Sequence, residues 1–431
     1  MHSVPCPGRP LLDQDTHART APRVASGERP RLRVAAVAST YPRFHDDPLV
    51  PWLRESVGRL ARRGHDMTVI APSFSGLASH SIDGVPVRRF RYGMRAVETL
   101  THDEGAPSKL GRNPLYKLLG APYVVSGAAH LAYWAWRSRF DLIHVHWPFP
   151  HALLASPATV FRGIPWIATC HGAELAMARR SPMVARILRR SLLEADALSC
   201  NSSHTRAEIE RLCGRTASII PYGSTVRAAR IAPHRVPGEE ARLLFSGRLI
   251  ARKGVDYLLR ALPLVLEERP VKLFITGDGD RRREWEDLTR SLGLESRVEF
   301  LGFVSADRLA DLYRTSDAYV HPAIFDDNDD TEGLGVVLIE ALANECPVVA
   351  SRVGGIVDVI EHEHTGLLVP QKNARALADA ILRLLGDRAL AHRLGTAGRV
   401  FAERHFDWEP ITDNTEDLYY RACTRTAPRR A

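Results

Sequence analysis

Apolar residues fall in short unbroken runs along this chain, and stretches of helical periodicity separate them. Leu32 to Ser39 (LRVAAVAS) is the first run, as expected of a strand buried on both faces of a parallel sheet. Apolar residues at helical spacing over Trp52–Arg63, closed by Gly64, predict a helix, and Met67–Ala71 predicts the next strand. Strand-like runs recur at Leu142–Val145, Trp166–Thr169, Ala197–Cys200 and Ser218–Ile220. Near Tyr222–Glu240 the periodicity gives way to Gly, Pro, Arg and His, and then it restarts. Strands are predicted at Leu243–Ser246, Val271–Thr276, Val298–Phe300, Ala318–Val320 and Pro347–Ala350. Helices are predicted at Val255–Glu268, Arg308–Arg314, Val336–Ala343 and Ala374–Leu385.

Strands that alternate with helices, twice over, predict an α/β protein of two Rossmann-like, doubly wound domains facing each other across a cleft. The expected division is an N-terminal domain over 31–225, a linker over 226–240 and a C-terminal domain over 241–400. A final helix within 401–431 is expected to pack back on the N-terminal domain, ahead of a basic tail. Residues 1–30, rich in Pro and Arg and without an apolar core segment, are expected to be a disordered extension rather than a secretion signal. Ligands of such a fold bind at the carboxyl ends of the strands.

Three segments place reactive side chains there. In SGRLIARKG (Ser246–Gly254), Arg248 and Lys253 stand five residues apart in a loop between a strand and a helix. A fork and a point charge in that position suit a diphosphate, and equally suit a solvated surface. In TEGLGVVLIEALA (Thr331–Ala343), Glu332 lies in a glycine-bearing loop and Glu340 in the helix that follows. Their eight-residue separation spans about 12 Å along the element, matching the reach from ribose to sugar in a nucleotide sugar. Glu340 sits among Leu338, Ile339, Ala341 and Leu342, so its carboxylate needs a buried partner. In PVVASRVGGIVDVI (Pro347–Ile360), Gly354-Gly355 is either a phosphate-facing loop or a tight turn. On the N-terminal side, ATCHGAEL places His171 and Glu174 just after a strand.

Arg248 with Lys253, Glu332 and Glu340 with seven residues between them, the Gly-Gly loop and HTGLLVP (His364–Pro370) together resemble the family-4 glycosyltransferases of the GT-B fold. The resemblance is dense over about 243–400 and looser through the N-terminal half. It implies that Arg248 and Lys253 hold the donor diphosphate, Glu332 contacts the donor sugar and Glu340 binds the ribose hydroxyls. Gly247, Gly333, Leu334 and Gly335 would line the donor, with Gly277 and the Gly302–Val304 segment near the base. His171 would approach the reaction centre beside Glu174, and Asp46 and Asp47 would face the acceptor. The implied reaction moves a hexosyl group, with retention, from a UDP- or GDP-sugar to a hydroxyl of a glycan, lipid-linked or small-molecule acceptor. No metal or other cofactor is implied. Two departures stand out. The first loop, TYPRFHDDPLVPW (Thr40–Trp52), lacks the glycine pair of many members. IIPYGST (Ile219–Thr225) lacks the usual Asn and Asp. A nucleotide-sugar epimerase of the same architecture and a non-catalytic sugar-nucleotide-binding protein are the rival readings.

Charge and composition refine this only a little. A net charge of +8 and a pI of about 9.3 suit anionic partners. Nucleic acid is not expected among them, because basic and aromatic residues do not interleave along a face. His144 and His146 alternate on a strand, but no third ligand follows at metal-site spacing. The acidic run Asp326–Asp330 resembles a manganese-binding motif, yet two nucleotide-type domains argue against the fold that uses one. Six scattered cysteines and no spanning apolar segment fit a cytoplasmic protein. Arginines 179, 180, 186, 189 and 190 interleave with apolar residues. That segment is either a helix lying on an anionic bilayer or, as preferred, an ordinary helix packed on its domain.

Overall fold

The computed structural model describes residues 29–45, 47, 49–102, 115–226 and 240–425. Nearly all of the expected N-terminal extension, Asp46, most of the 226–240 linker and the basic tail lie outside the described residues.

Two sheets organise the chain. The N-terminal sheet contains β1 (Arg33–Val37), β2 (Asp66–Pro72), β3 (His80–Ile82), β4 (Val85–Phe90), β5 (Leu142–His146), β6 (Trp166–Cys170), β7 (Ala197–Cys200) and β8 (Ser218–Ile219). Its order is β3-β4-β2-β1-β5-β6-β7-β8, parallel except for β3 against β4. The C-terminal sheet contains β9 (Ala241–Ser246), β10 (Val271–Thr276), β11 (Val298–Gly302), β12 (Ala318–His321), β13 (Val348–Ser351) and β14 (Leu367–Val369). Its order is β11-β10-β9-β12-β13-β14, parallel throughout. Each sheet is covered by helices on both faces, which is why strands such as β5, β6, β12 and β13 are buried at every residue. In both sheets the order doubles back at the first strand, β1 or β9, and a crevice opens at the carboxyl ends there.

Local chemistry starts the helices where the sequence turns polar. The Ser202, Ser305, Asn373 and Asp387 side chains each accept a backbone N–H of the first turn they precede. The last helix, Trp408–Arg425, leaves the C-terminal domain and packs on the N-terminal one. Leu418, Tyr419 and Ala422 join the core formed by β1, β2 and helix Pro51–Arg62. Arg63 holds its polar side through Glu409, Asp413 and Glu416.

Candidate active site

The C-terminal wall of the cleft is charged. Lys253 and Glu332, each 7% exposed, form an ion pair between the loop after β9 and the loop after β12. His321, the last residue of β12, places Nε2 3.1 Å from the same Glu332 oxygen, and its Nδ1 lies 3.0 Å from the Tyr319 hydroxyl. Tyr319 in turn donates to the Ser246 carbonyl at 3.0 Å. Arg252 completes the cluster, 3.6 Å from the other Glu332 oxygen, and donates to the Thr331 carbonyl at 2.7 Å. Burial alone pushes the Glu332 carboxyl up, but the Lys253 and Arg252 charges prevail and hold its pKa well below the usual range. Burial beside Lys253 takes His321 down to about 4, so it is neutral at pH 7. Arg248 is different. It is exposed in the cleft and makes no ion pair among the described residues.

Glycines bring these loops together. A Cβ on Gly277 would lie 2.1 Å from the Gly247 carbonyl oxygen, and Gly277 N–H donates to the Gly302 carbonyl at 2.7 Å. The mouths of β9, β10 and β11 therefore stack backbone on backbone. The Gly354-Gly355 turn serves the Glu332 loop rather than the cleft directly. Gly355 N–H donates to the Glu332 carbonyl at 2.9 Å, and a Cβ on Gly354 would meet that oxygen at 2.2 Å. The Leu334 side chain is core, Gly335 opens helix Val336–Ala343 with φ +92°, and Val304 packs half-buried against the same core. Glu340 has the buried partners its surroundings require. Thr225 donates to it at 2.8 Å and the Tyr313 hydroxyl at 3.3 Å. Burial outweighs both bonds and raises its pKa to about 7.

The N-terminal wall is aromatic. His171 follows β6, and its ring makes hydrogen bonds with the Tyr222 hydroxyl and, at 3.2 Å, with His146 Nδ1. Tyr222 stacks on Trp52 with centroids 4.0 Å apart, and Trp147 lies 4.4 Å from His171. His144 continues the chain inward to Thr169 at 2.6 Å and the Tyr419 hydroxyl at 2.8 Å. Burial, then the neighbouring imidazoles, holds His171 and His146 well below the ordinary histidine value. Glu174 accepts the His171 backbone N–H at 2.8 Å, and burial raises its pKa to about 7. Asp47 is buried and turned into its own loop, accepting from Arg43 Nε at 2.7 Å and from the Arg43 backbone at 2.8 Å.

The two walls touch at Gly333, where a Cβ would lie 2.8 Å from the His171 carbonyl oxygen and 3.1 Å from Asn201 Nδ2. Arg179 reaches across from Glu208 to Asp329 at 2.8 Å, and Ser203 Oγ donates to Asp358 at 2.6 Å. The acidic run is thus shared among a turn on Asp326, Arg179 and Arg252. Among the described residues, no three His, Cys, Asp or Glu side chains gather as a metal site would. The sequence reading missed Arg252, His321, Trp52, Trp147 and Tyr222. A histidine closing the apolar strand AYVH was a usable signal for His321. Nothing local marks the aromatics, which converge from three separate segments.

The family model for glycosyl transferases group 1 matches residues 226–401, and that for glycosyltransferase family 4 matches residues 52–224. A GDP-mannose-dependent alpha-(1-6)-phosphatidylinositol monomannoside mannosyltransferase of Mycobacterium tuberculosis is 29% identical over 383 residues, 85% of this chain and 93% of its own. Glycogen synthase of the same organism is 30% identical over 301 residues, 67% of this chain and 70% of its own. The solved sucrose-phosphate synthase of Thermosynechococcus elongatus superposes with a TM-score of 0.73 at 24% identity, covering 91% of this chain and 99% of that one. Both halves of the molecule and the cleft between them therefore lead to one assignment: the chain belongs to glycosyltransferase family 4, as a hexosyltransferase of the GT-B fold.

Proposed function

We propose that this enzyme transfers a hexosyl group from a nucleoside-diphosphate sugar, with retention and without a metal, to a hydroxyl of a glycan, lipid-linked or small-molecule acceptor. The observation that carries this is the buried Lys253–Glu332 pair beside Arg248, which makes no ion pair among the described residues, at the mouth of β9 and opposite His171. A diphosphate arriving there meets the exposed Arg248 guanidinium and a lysine already oriented by a carboxylate. Arg248 and Lys253 then stabilise the charge that grows on the diphosphate as the glycosidic bond breaks. Glu332, held ionised, accepts hydrogen bonds from donor-sugar hydroxyls, and Glu340 faces the ribose. The neutral His171 and its aromatic neighbours bind uncharged hydroxyls without adding charge to the oxocarbenium-like centre. The acceptor proton passes to the departing diphosphate oxygen on the same sugar face. The mannosyltransferase relative, named for a nucleotide-sugar donor and a lipid acceptor, supports both classes here.

The test measures nucleotide release from a panel of UDP- and GDP-sugars, with and without acceptor, in the presence of chelator. The wild type is expected to release nucleotide in an acceptor-dependent way, and Lys253→Ala to lose about 1,000-fold in kcat with its fold intact by circular dichroism. Near-normal turnover in folded Lys253→Ala overturns the assignment. Acceptor-independent donor consumption favours an epimerase.

A further inference from the structure

Helix Gly120–Ser138 is apolar on two opposite sides. Its buried stripe is Tyr123, Gly127, Leu131 and Ala135, one residue per turn against the sheet. The side turned to solvent carries Pro122, Val125, Ala129, Tyr133 and Trp136, again at spacings of three and four, where a surface helix normally carries polar residues. Val125 is 68% exposed, Tyr133 52% and Trp136 66%.

The neighbouring helices extend this surface. Helix Pro148–Arg162 packs so closely that a Cβ on Gly127 would meet Leu154 at 2.5 Å, and it exposes Val160 (73%) and Phe161 (84%). Helix Pro182–Glu194 lies beside it in the same core layer and exposes Met183 and Leu193. Each of the three returns the chain to the start of the next parallel strand, β5, β6 or β7, so all run in one direction. Trp136, Phe161 and Leu193 consequently gather at one end of the layer.

The charge on this flank is predominantly positive. Residues 115–140 contain no Asp or Glu, and neither does 148–163. Arg137, Arg139, Arg162, Arg186 and Arg189 are exposed and make no ion pair among the described residues, while Arg190 pairs with Glu194. Phenol and indole rings at the C-terminal end of an apolar stripe, fringed by exposed guanidinium groups, match the layering of a bilayer boundary: acyl chains, then carbonyls, then anionic headgroups. No helix among the described residues is long and apolar enough to cross a membrane, so the helix would lie in the plane of the boundary.

We propose that this flank docks the enzyme on an anionic lipid bilayer, with the Val125–Tyr133–Trp136 stripe and Phe161 seated at the headgroup–acyl boundary and the arginines on the headgroups. The proposal does not depend on the acceptor suggested above, since it concerns a surface outside the cleft.

Flotation of the full chain with vesicles of phosphatidylcholine, with or without phosphatidylglycerol, tests it directly. The wild type is expected to float with the phosphatidylglycerol vesicles, less so as salt is raised, and not with phosphatidylcholine alone. Trp136→Ser combined with Phe161→Ser should cut that partition by at least about tenfold at unchanged melting temperature, and Arg137→Gln with Arg139→Gln should weaken it through charge alone. The proposal fails if the wild type floats with neither vesicle, or if the serine variant floats as well as the wild type. It also fails if ultracentrifugation without lipid shows a dimer that the serine substitutions break, because a second copy then covers this face.

Discussion

The C-terminal wall of the cleft is a locked ionic cluster, with Lys253, Arg252 and His321 all directed at one carboxylate. The N-terminal wall opposite is built of rings: His171, His146, Tyr222, Trp52 and Trp147, whose imidazoles burial keeps neutral. The same doubly wound scaffold thus offers charge on one side and uncharged donors, acceptors and ring faces on the other. Charge in a dry site is costly unless its partner is fixed, so the wall that meets an anion must assemble its counter-ions beforehand. The ring wall has no such requirement. It accommodates hydroxyl-bearing ligands by stacking and by hydrogen bonds that change little with pH.

That contrast breaks first at His171. His171→Ala should reduce acceptor-dependent turnover by about 100-fold while changing nucleotide affinity, measured by calorimetry, by less than about twofold. An equal loss in both would mean that the ring wall also serves the diphosphate. Glu340 sharpens the comparison from the charged side. Its folded pKa of about 7 lies above the unfolded value of about 4.3, so the folded state binds the proton more tightly. Its contribution to stability is therefore intact below the unfolded value and is lost as pH rises through 7. Glu340→Gln removes that loss. Without donor, it should be more stable than the wild type by up to about 3 kcal/mol at pH 8, with the gain shrinking toward pH 5. A gain that instead grows on acidification contradicts the assignment. The smallest effect is expected at Arg179, whose contacts with Glu208 and Asp329 tie the two walls together in a partly exposed position. Arg179→Ala should cost about 0.5 kcal/mol but widen the cleft, seen as a larger radius of gyration in low-salt scattering. An unchanged radius would place the closure at Gly333 and Ser203 instead.

Legibility in the sequence followed the same divide. The C-terminal sheet was readable except for the three-residue edge strand β14, because each of its other strands is a continuous apolar run between helical stretches. Helix Val336–Ala343 and strand Val271–Thr276 were located to the residue. Its site was readable too, since Arg248 with Lys253, and Glu332 with Glu340, lie within single strand–loop–helix units whose spacing is chemically meaningful. Strands β3 and β4 escaped because HSI and VPVRRF lack an apolar run and lie at the sheet's edge. Helix Gly120–Ser138 escaped because apolar residues on two faces blur the helical period. The ring wall joins residues 52, 147, 171 and 222 by tertiary packing alone, and no local spacing encodes that. Gly223 illustrates the limit: it is glycine because Trp408 lies against it, 2.6 Å from where a Cβ would be.

Trp408 also has a bearing on engineering. The chain passes between the domains at Ser224 and again at Trp408, whose indole N–H donates to the Ser224 carbonyl at 2.8 Å. The final helix beyond it supplies the Tyr419 hydroxyl that hydrogen-bonds His144, and Leu418 to the N-terminal core. The N-terminal domain is therefore not a contiguous piece of gene, whereas the C-terminal one is. A chimera that takes its acceptor half from one relative and its donor half from another must carry residues 408–425 with the acceptor half. A cut at the linker alone strips the N-terminal unit of part of its own interior.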